Sequence, residues 1–140
     1  MSRADRIVAW NEDRELTSVP DDSLVVYCVL EEVFEYVGIN NAMPKAEFKK
    51  LVAKYAKYIK IEAQTIGAFA SPEQKVDALR DIDIFVDGFT HRLGYDIEKS
   101  ADQALLHIES RTGSIGADGK WAKDVNQESV YLPRYSECKL

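Results

Sequence analysis

The sequence predicts an all-α fold, a four- to five-helix bundle followed by an irregular C-terminal tail. Three observations predict it. Apolar residues recur at helical rather than strand spacing through most of the first 112 positions. Capping residues such as Asp21-Asp22-Ser23, Ser71-Pro72-Glu73 and Asp96 open segments that glycines 38 and 94 close. With 140 residues, 46% apolar and 30% charged, the composition is that of an ordinary globular domain long enough to bury a core. One domain is expected over 1–140, with a helical core at about 3–112 and a tail at 113–140.

The elements follow in order. Residues 3–14 carry Ile7, Val8 and Trp10 among charges and read as a short helix, broken by Thr17-Ser18-Val19-Pro20. Asp21, Asp22 and Ser23 offer cap oxygens and negative charge to a second helix over about 22–36, ending near Gly38. Its valines suit a strand, but about 15 residues exceeds a usual strand length and the glutamates do not alternate. After the loop 40–44, Phe48, Leu51, Val52, Tyr55, Tyr58 and Ile59 keep an i, i+3, i+4, i+7 rhythm. Lysines 49, 50, 54, 57 and 60 fall mostly on the wet side of this helix, which runs from Lys45 towards Gly67. Ser71 as cap and Pro72 in the first turn open a fourth helix that continues through Leu93. Asp96 caps a fifth to about Arg111. Beyond Gly113 periodicity fades.

Composition also excludes some functions. A net charge of −6 argues against a nucleic-acid polymer as partner, while leaving room for a small nucleotide recruited through divalent cations. No stretch approaches the run of about 18 apolar residues a membrane span needs, and no signal-peptide pattern opens the chain. Cys28, in an apolar segment, and Cys138, in the tail, read as thiols in a reducing compartment. A cytoplasmic location is expected.

Glutamates at the spacing of Glu31, Glu32 and Glu35 ordinarily mark a solvated helix face. On a wheel they span an arc of roughly 100°. Leu24, Val25, Cys28 and Tyr36 share or border that arc, and Val26, Leu30, Val33, Phe34 and Val37 fill the opposite side. The helix therefore has no wet side, and buried carboxylates require a cation. No lysine or arginine occurs between Asp21 and Gly38, so a metal is the simpler partner. On the fourth helix Asp77 and Asp81 project together at i, i+4 beside the apolar arc, whereas Asp83 and Asp87 fall on the far side with Arg80. Five acids make an all-oxygen site suited to Mg²⁺, with Mn²⁺ as a substitute. His91 and His107 lack the spacing of zinc ligands.

The Glu-Glu-x-x-Glu cluster at 31–35, the segment from Val76 to Gly88, Leu93-Gly94-Tyr95-Asp96, Glu109 to Gly113, Gly119-Lys120-Trp121 and Tyr131 to Tyr135 together resemble the all-α nucleoside triphosphate pyrophosphohydrolases. That superfamily includes MazG-like proteins, phosphoribosyl-ATP pyrophosphohydrolases and dimeric dUTPases, and the small phage-type members are the most similar. The likeness spans residues 22–135. It implies a MazG-like bundle that hydrolyses a nucleotide at the α–β phosphate bond, giving a monophosphate and pyrophosphate.

By position the resemblance makes Glu32, Glu35 and Asp81 Mg²⁺ ligands, and Glu31 a further ligand or the group that orients the attacking water. The family's second motif has an acid three residues before its aspartate, where this chain has Ala78; Asp77 lies on nearly the same face and can substitute. Arg111 and Lys120 are the candidate phosphate partners, and Trp10, Trp121 and Tyr131 the candidates to stack on a base. A homodimer or homotetramer is implied, with Phe48, Tyr55 and Tyr58 offering apolar surface. The competing reading is a non-catalytic nucleotide-binding or regulatory helical oligomerisation module.

Overall fold

The computed structural model describes residues 1–117, 121–124 and 130–140. Five α-helices form among them: α1 (Arg3–Asp13), α2 (Asp22–Tyr36), α3 (Lys45–Thr65), α4 (Pro72–Arg92) and α5 (Ile97–Glu109). All five lie where capping and periodicity place them. The chain divides into two compact units, Ser18–Ala70 and Met1–Thr17 with Ser71–Leu140.

In the Ser18–Ala70 unit, α2 packs along α3. The Asp21 side chain accepts from the Ser23 amide at 2.7 Å and starts α2. Phe48, Val52 and Ala56, one helical turn apart on α3, are 5%, 0% and 9% exposed and form the seam beneath α2. Phe34 of α2 meets Tyr55 edge to face, with ring centroids 5.5 Å apart. The lysines of α3 are exposed, as its periodicity requires.

In the other unit, α1 and α4 both pack on α5. Ser2 and Asp5 make a reciprocal capping box on α1, and Ser71 and Gln74 make another on α4. Arg6 fastens α1 to α5: its guanidinium bonds both Glu109 oxygens, at 2.6 and 3.2 Å, and also Asp102.

The described residues of the tail contain short regular pieces that carry no periodic signal. Strands β1 (Gly113–Ile115) and β2 (Trp121–Lys123) pair antiparallel, Gly113 opposite Lys123. A side chain at position 113 would collide with the Ala122 carbonyl and the Trp121 ring, so glycine is required there. A 3₁₀ turn at Tyr135–Cys138 then brings the chain end onto the α4–α5 corner. The Cys138 carbonyl accepts from the Asp96 amide at 2.8 Å, and the Leu140 amide donates to the Gly94 carbonyl at 2.9 Å. Cys138, read as a tail residue, is consequently 2% exposed. Neither cysteine is in a disulfide. Among the described residues no helix is long and apolar enough to cross a membrane.

Candidate functional site

Glu31, Glu32 and Glu35 project from two successive turns of α2. Glu31 is half-buried, and Glu32 and Glu35 are exposed. The expectation that α2 has no wet side is not met within its own unit. No residue of the helix is buried, and Val33, Tyr36 and Val37 are 51%, 74% and 66% exposed. The reason is geometric. A helix apolar all round needs cover on several sides, and in its own unit α2 has only α3 and the turn at Ile39–Asn41 against it.

Asp77 and Asp81 lie on α4 in the other unit, and both are exposed. The aspartates that α4 turns towards α1 and α5 are instead Asp83 and Asp87, both half-buried. Asp87 takes a 3.5 Å ion pair from Arg3, and Asp83 one of 3.5 Å from Arg80. With Thr90, Tyr95 and Tyr135 they line a cavity of about 470 Å³ in this unit. The wheel located the apolar arc of α4 correctly. It misassigned the environment, because Phe85, Val86 and Phe89 on that arc remain more than half exposed.

A second constellation lies where α1, α5 and the hairpin meet. The Trp10 indole N–H donates to the Ile108 carbonyl at 3.2 Å. Its ring meets Trp121 edge to face, centroids 5.3 Å apart. Arg14 covers both indoles, 4.4 Å from the Trp10 centroid and 5.3 Å from that of Trp121, and donates to the Arg111 carbonyl at 3.1 Å. The Arg111 guanidinium rests 3.3 Å from His107 Nδ1. Burial, aided by the charges of Arg111 and Lys123, lowers the His107 pKa below its ordinary 6.5. Trp10 and Arg111, singled out separately from the sequence, are thus drawn together, and Arg14 and His107 join them. Arg14 had a visible signal, since it sits four residues beyond Trp10 on the same helical face.

Tyr131 is held apart by its own bonds. Its hydroxyl donates to Gln103 Oε1 at 2.7 Å and accepts from Arg134 Nε at 3.2 Å, and its amide donates to Ser110 Oγ at 2.7 Å. Lys120, the other candidate phosphate partner, lies outside the described residues, as does Gly119.

Comparison with known families, characterised proteins and solved structures finds no match. The α2 carboxylates are an all-oxygen donor set on flexible side chains, a chemistry that suits a hard divalent cation. Among the described residues no three Asp, Glu, His or Cys side chains are gathered about a common point. The fit to such an ion is thus one of donor chemistry.

Proposed function

We propose that this chain is a Mg²⁺-dependent nucleotide pyrophosphohydrolase that cleaves the α–β phosphate bond of a nucleoside triphosphate or related nucleotide. The observation that carries this reading is the grouping of Glu31, Glu32 and Glu35, three hard oxygen donors, on two turns of α2. Glu32 and Glu35 are the ligands that α2 offers the ion. When bound, Mg²⁺ would neutralise phosphate charge and acidify a coordinated water. Glu31 orients the attacking water and accepts its proton. The bridging P–O bond breaks as water adds to phosphorus, and the products are a monophosphate and pyrophosphate.

The Trp10–Arg14–Arg111–Trp121 constellation supports a nucleotide ligand by its chemistry. Indoles present flat apolar faces to a base, and guanidinium groups pair with phosphate oxygens. Tyr131 and Lys120 complete the residues assigned to substrate. Mn²⁺ is expected to replace Mg²⁺, and the proposed setting is cytoplasmic.

Incubating the protein with Mg²⁺ and a panel of nucleotides, then resolving the products, tests this directly. Monophosphate and pyrophosphate in equal amounts are expected. Orthophosphate as the product would remove the α–β cleavage proposal. A second reading, a regulatory module that binds nucleotide without turning it over, is favoured by Ala78, which stands where an acid would complete the second motif. Metal-dependent binding without product, for every nucleotide tried, selects that reading.

A further inference from the structure

We propose that the cavity lined by α1, α4, α5 and Tyr135 binds a small organic ammonium ion with an apolar body. Its volume of about 470 Å³ falls within the range of small-molecule sites, about 300–1,000 Å³. The room exists because α5 turns Ser100, Ala101 and Ala104 to it, three small side chains on one face of the helix. Ile7, Val86 and Ile97 supply apolar wall, and Tyr95 and Tyr135 add tyrosine surface.

The polar groups decide the class of ligand. Thr90 Oγ1 donates to the Val86 carbonyl at 2.8 Å, and Ser100 Oγ donates to the Ile97 carbonyl at 3.0 Å. With those hydrogens committed, both hydroxyls offer the cavity lone pairs alone. The Asp87 carboxylate is a further acceptor, and Asp83, one turn earlier on α4, adds a second negative charge. Among the described residues lining the cavity Arg3 is the one cation, and its guanidinium stands 3.5 Å from Asp87, longer than a tight ion pair. Arg80 meets Asp83 at 3.5 Å from a side chain 68% exposed, a pair worth little in water. The wall is thus rich in acceptors and negative on balance. An anion is repelled there, and a neutral apolar molecule would strip the carboxylates of water without replacing its hydrogen bonds. A primary ammonium supplies three donors and one positive charge, while its carbon body covers the apolar wall. Tyrosine faces also attract a cation. A bare metal ion is served less well, since among the described residues no three potential ligands gather about a point. The cavity shares no residue with the α2 carboxylates or with the Trp10–Arg14–Arg111–Trp121 constellation.

Three probes of one shape test the charge preference: phenethylammonium, the neutral phenethyl alcohol and the anionic phenylacetate, each titrated into the full chain and followed by NMR. The ammonium should shift the signals of Ile7, Val86, Thr90 and Ala104, and bind roughly tenfold or more tightly than the alcohol, as expected for a hydrogen-bonded charge. Phenylacetate should leave those signals unmoved. Thr90→Val keeps the side-chain shape and removes an acceptor, so the ammonium dissociation constant should rise roughly three- to tenfold. Asp87→Asn should raise it roughly tenfold or more, and Ala104→Leu, which fills the space, should abolish binding. No shift with the ammonium at about 10 mM, a concentration that reveals even millimolar binding, overturns the proposal. So do equal affinities for ammonium and alcohol, shifts confined to other residues, or unchanged affinity in a folded Asp87→Asn. Should the variants misfold, the comparison of the three probes on the wild-type protein decides.

Discussion

At the scale of single residues, His107 is the group whose environment most clearly makes stability depend on pH. Burial first, then the Arg111 and Lys123 charges, hold its pKa below 6.5, so the folded chain resists protonation that the unfolded chain accepts. As pH falls below 6.5 the unfolded state takes up a proton first. Stability is lost from there down to the depressed folded value. Glu109 acts in the same direction at lower pH. Its bonds to Arg6 lower its pKa from 4.5, so the stability it contributes is present above that value and lost as pH falls through the folded one. Melting temperature should therefore decline between pH 7.5 and pH 5.5, and His107→Gln should flatten that decline. An unchanged slope in the variant would show that another group is responsible. Val52, fully enclosed between α2 and α3, makes the second prediction. Val52→Ala removes two methylene equivalents and leaves a void, costing about 2 kcal/mol. Denaturant titration should report a loss of that order, and a loss below about 0.5 kcal/mol would mean the seam collapses to refill the gap.

Helices α1 to α4 share one way of ending. The residue after each C-cap has positive φ: Glu15 at 58°, Gly38 at 82°, Gly67 at 67° and Gly94 at 91°. After α1 the Leu16 amide returns to the Asn11 carbonyl at 2.8 Å, and the Glu15 amide to Glu12 at 3.1 Å, the two bonds of a Schellman turn. Only α1 places a side chain in this left-handed position, where an L-residue is strained by roughly 1–2 kcal/mol. Glu15→Gly should stabilise the unit containing α1 by about 0.5–1 kcal/mol, the relief being partly offset by the freedom glycine gains on unfolding. Thermal melts of wild type and variant compared side by side check the sign. A lower melting temperature for the variant would contradict the strain argument. The same local rules explain why helix boundaries were readable in advance. Caps such as Asp21, Ser71 and Asp96 act on amides two or three residues away, and distant parts of the chain do not enter.

At the scale of the molecule, the activity test reduces to a few carboxylates. Glu35→Gln keeps the shape and helix propensity of the side chain while removing a charge and a hard oxygen donor. If α2 holds the ion, turnover should fall by about a thousandfold or more, the scale of losing a group that stabilises the transition state. Far-ultraviolet circular dichroism should stay unchanged. Wild-type turnover in Glu35→Gln would refute the assignment of α2. Asp83→Asn, remote from that role beside Arg80, is expected to be nearly neutral. From sequence alone came the helices and their approximate limits, the apolar rhythm of α3 that includes Phe48 and Val52, and the position of the acids along α2. Each follows from contacts a few residues apart in the chain. Which way a helix faces needed the tertiary structure. An apolar arc on α4 states that something must cover it, and only the packing of Val86, Asp83 and Asp87 towards α1 and α5 shows how little of that arc this unit covers. The β1–β2 hairpin and the burial of Cys138 were equally hidden. Three-residue strands carry no periodic signal, and the partners of Cys138 on the α4–α5 corner are more than 40 residues away along the chain.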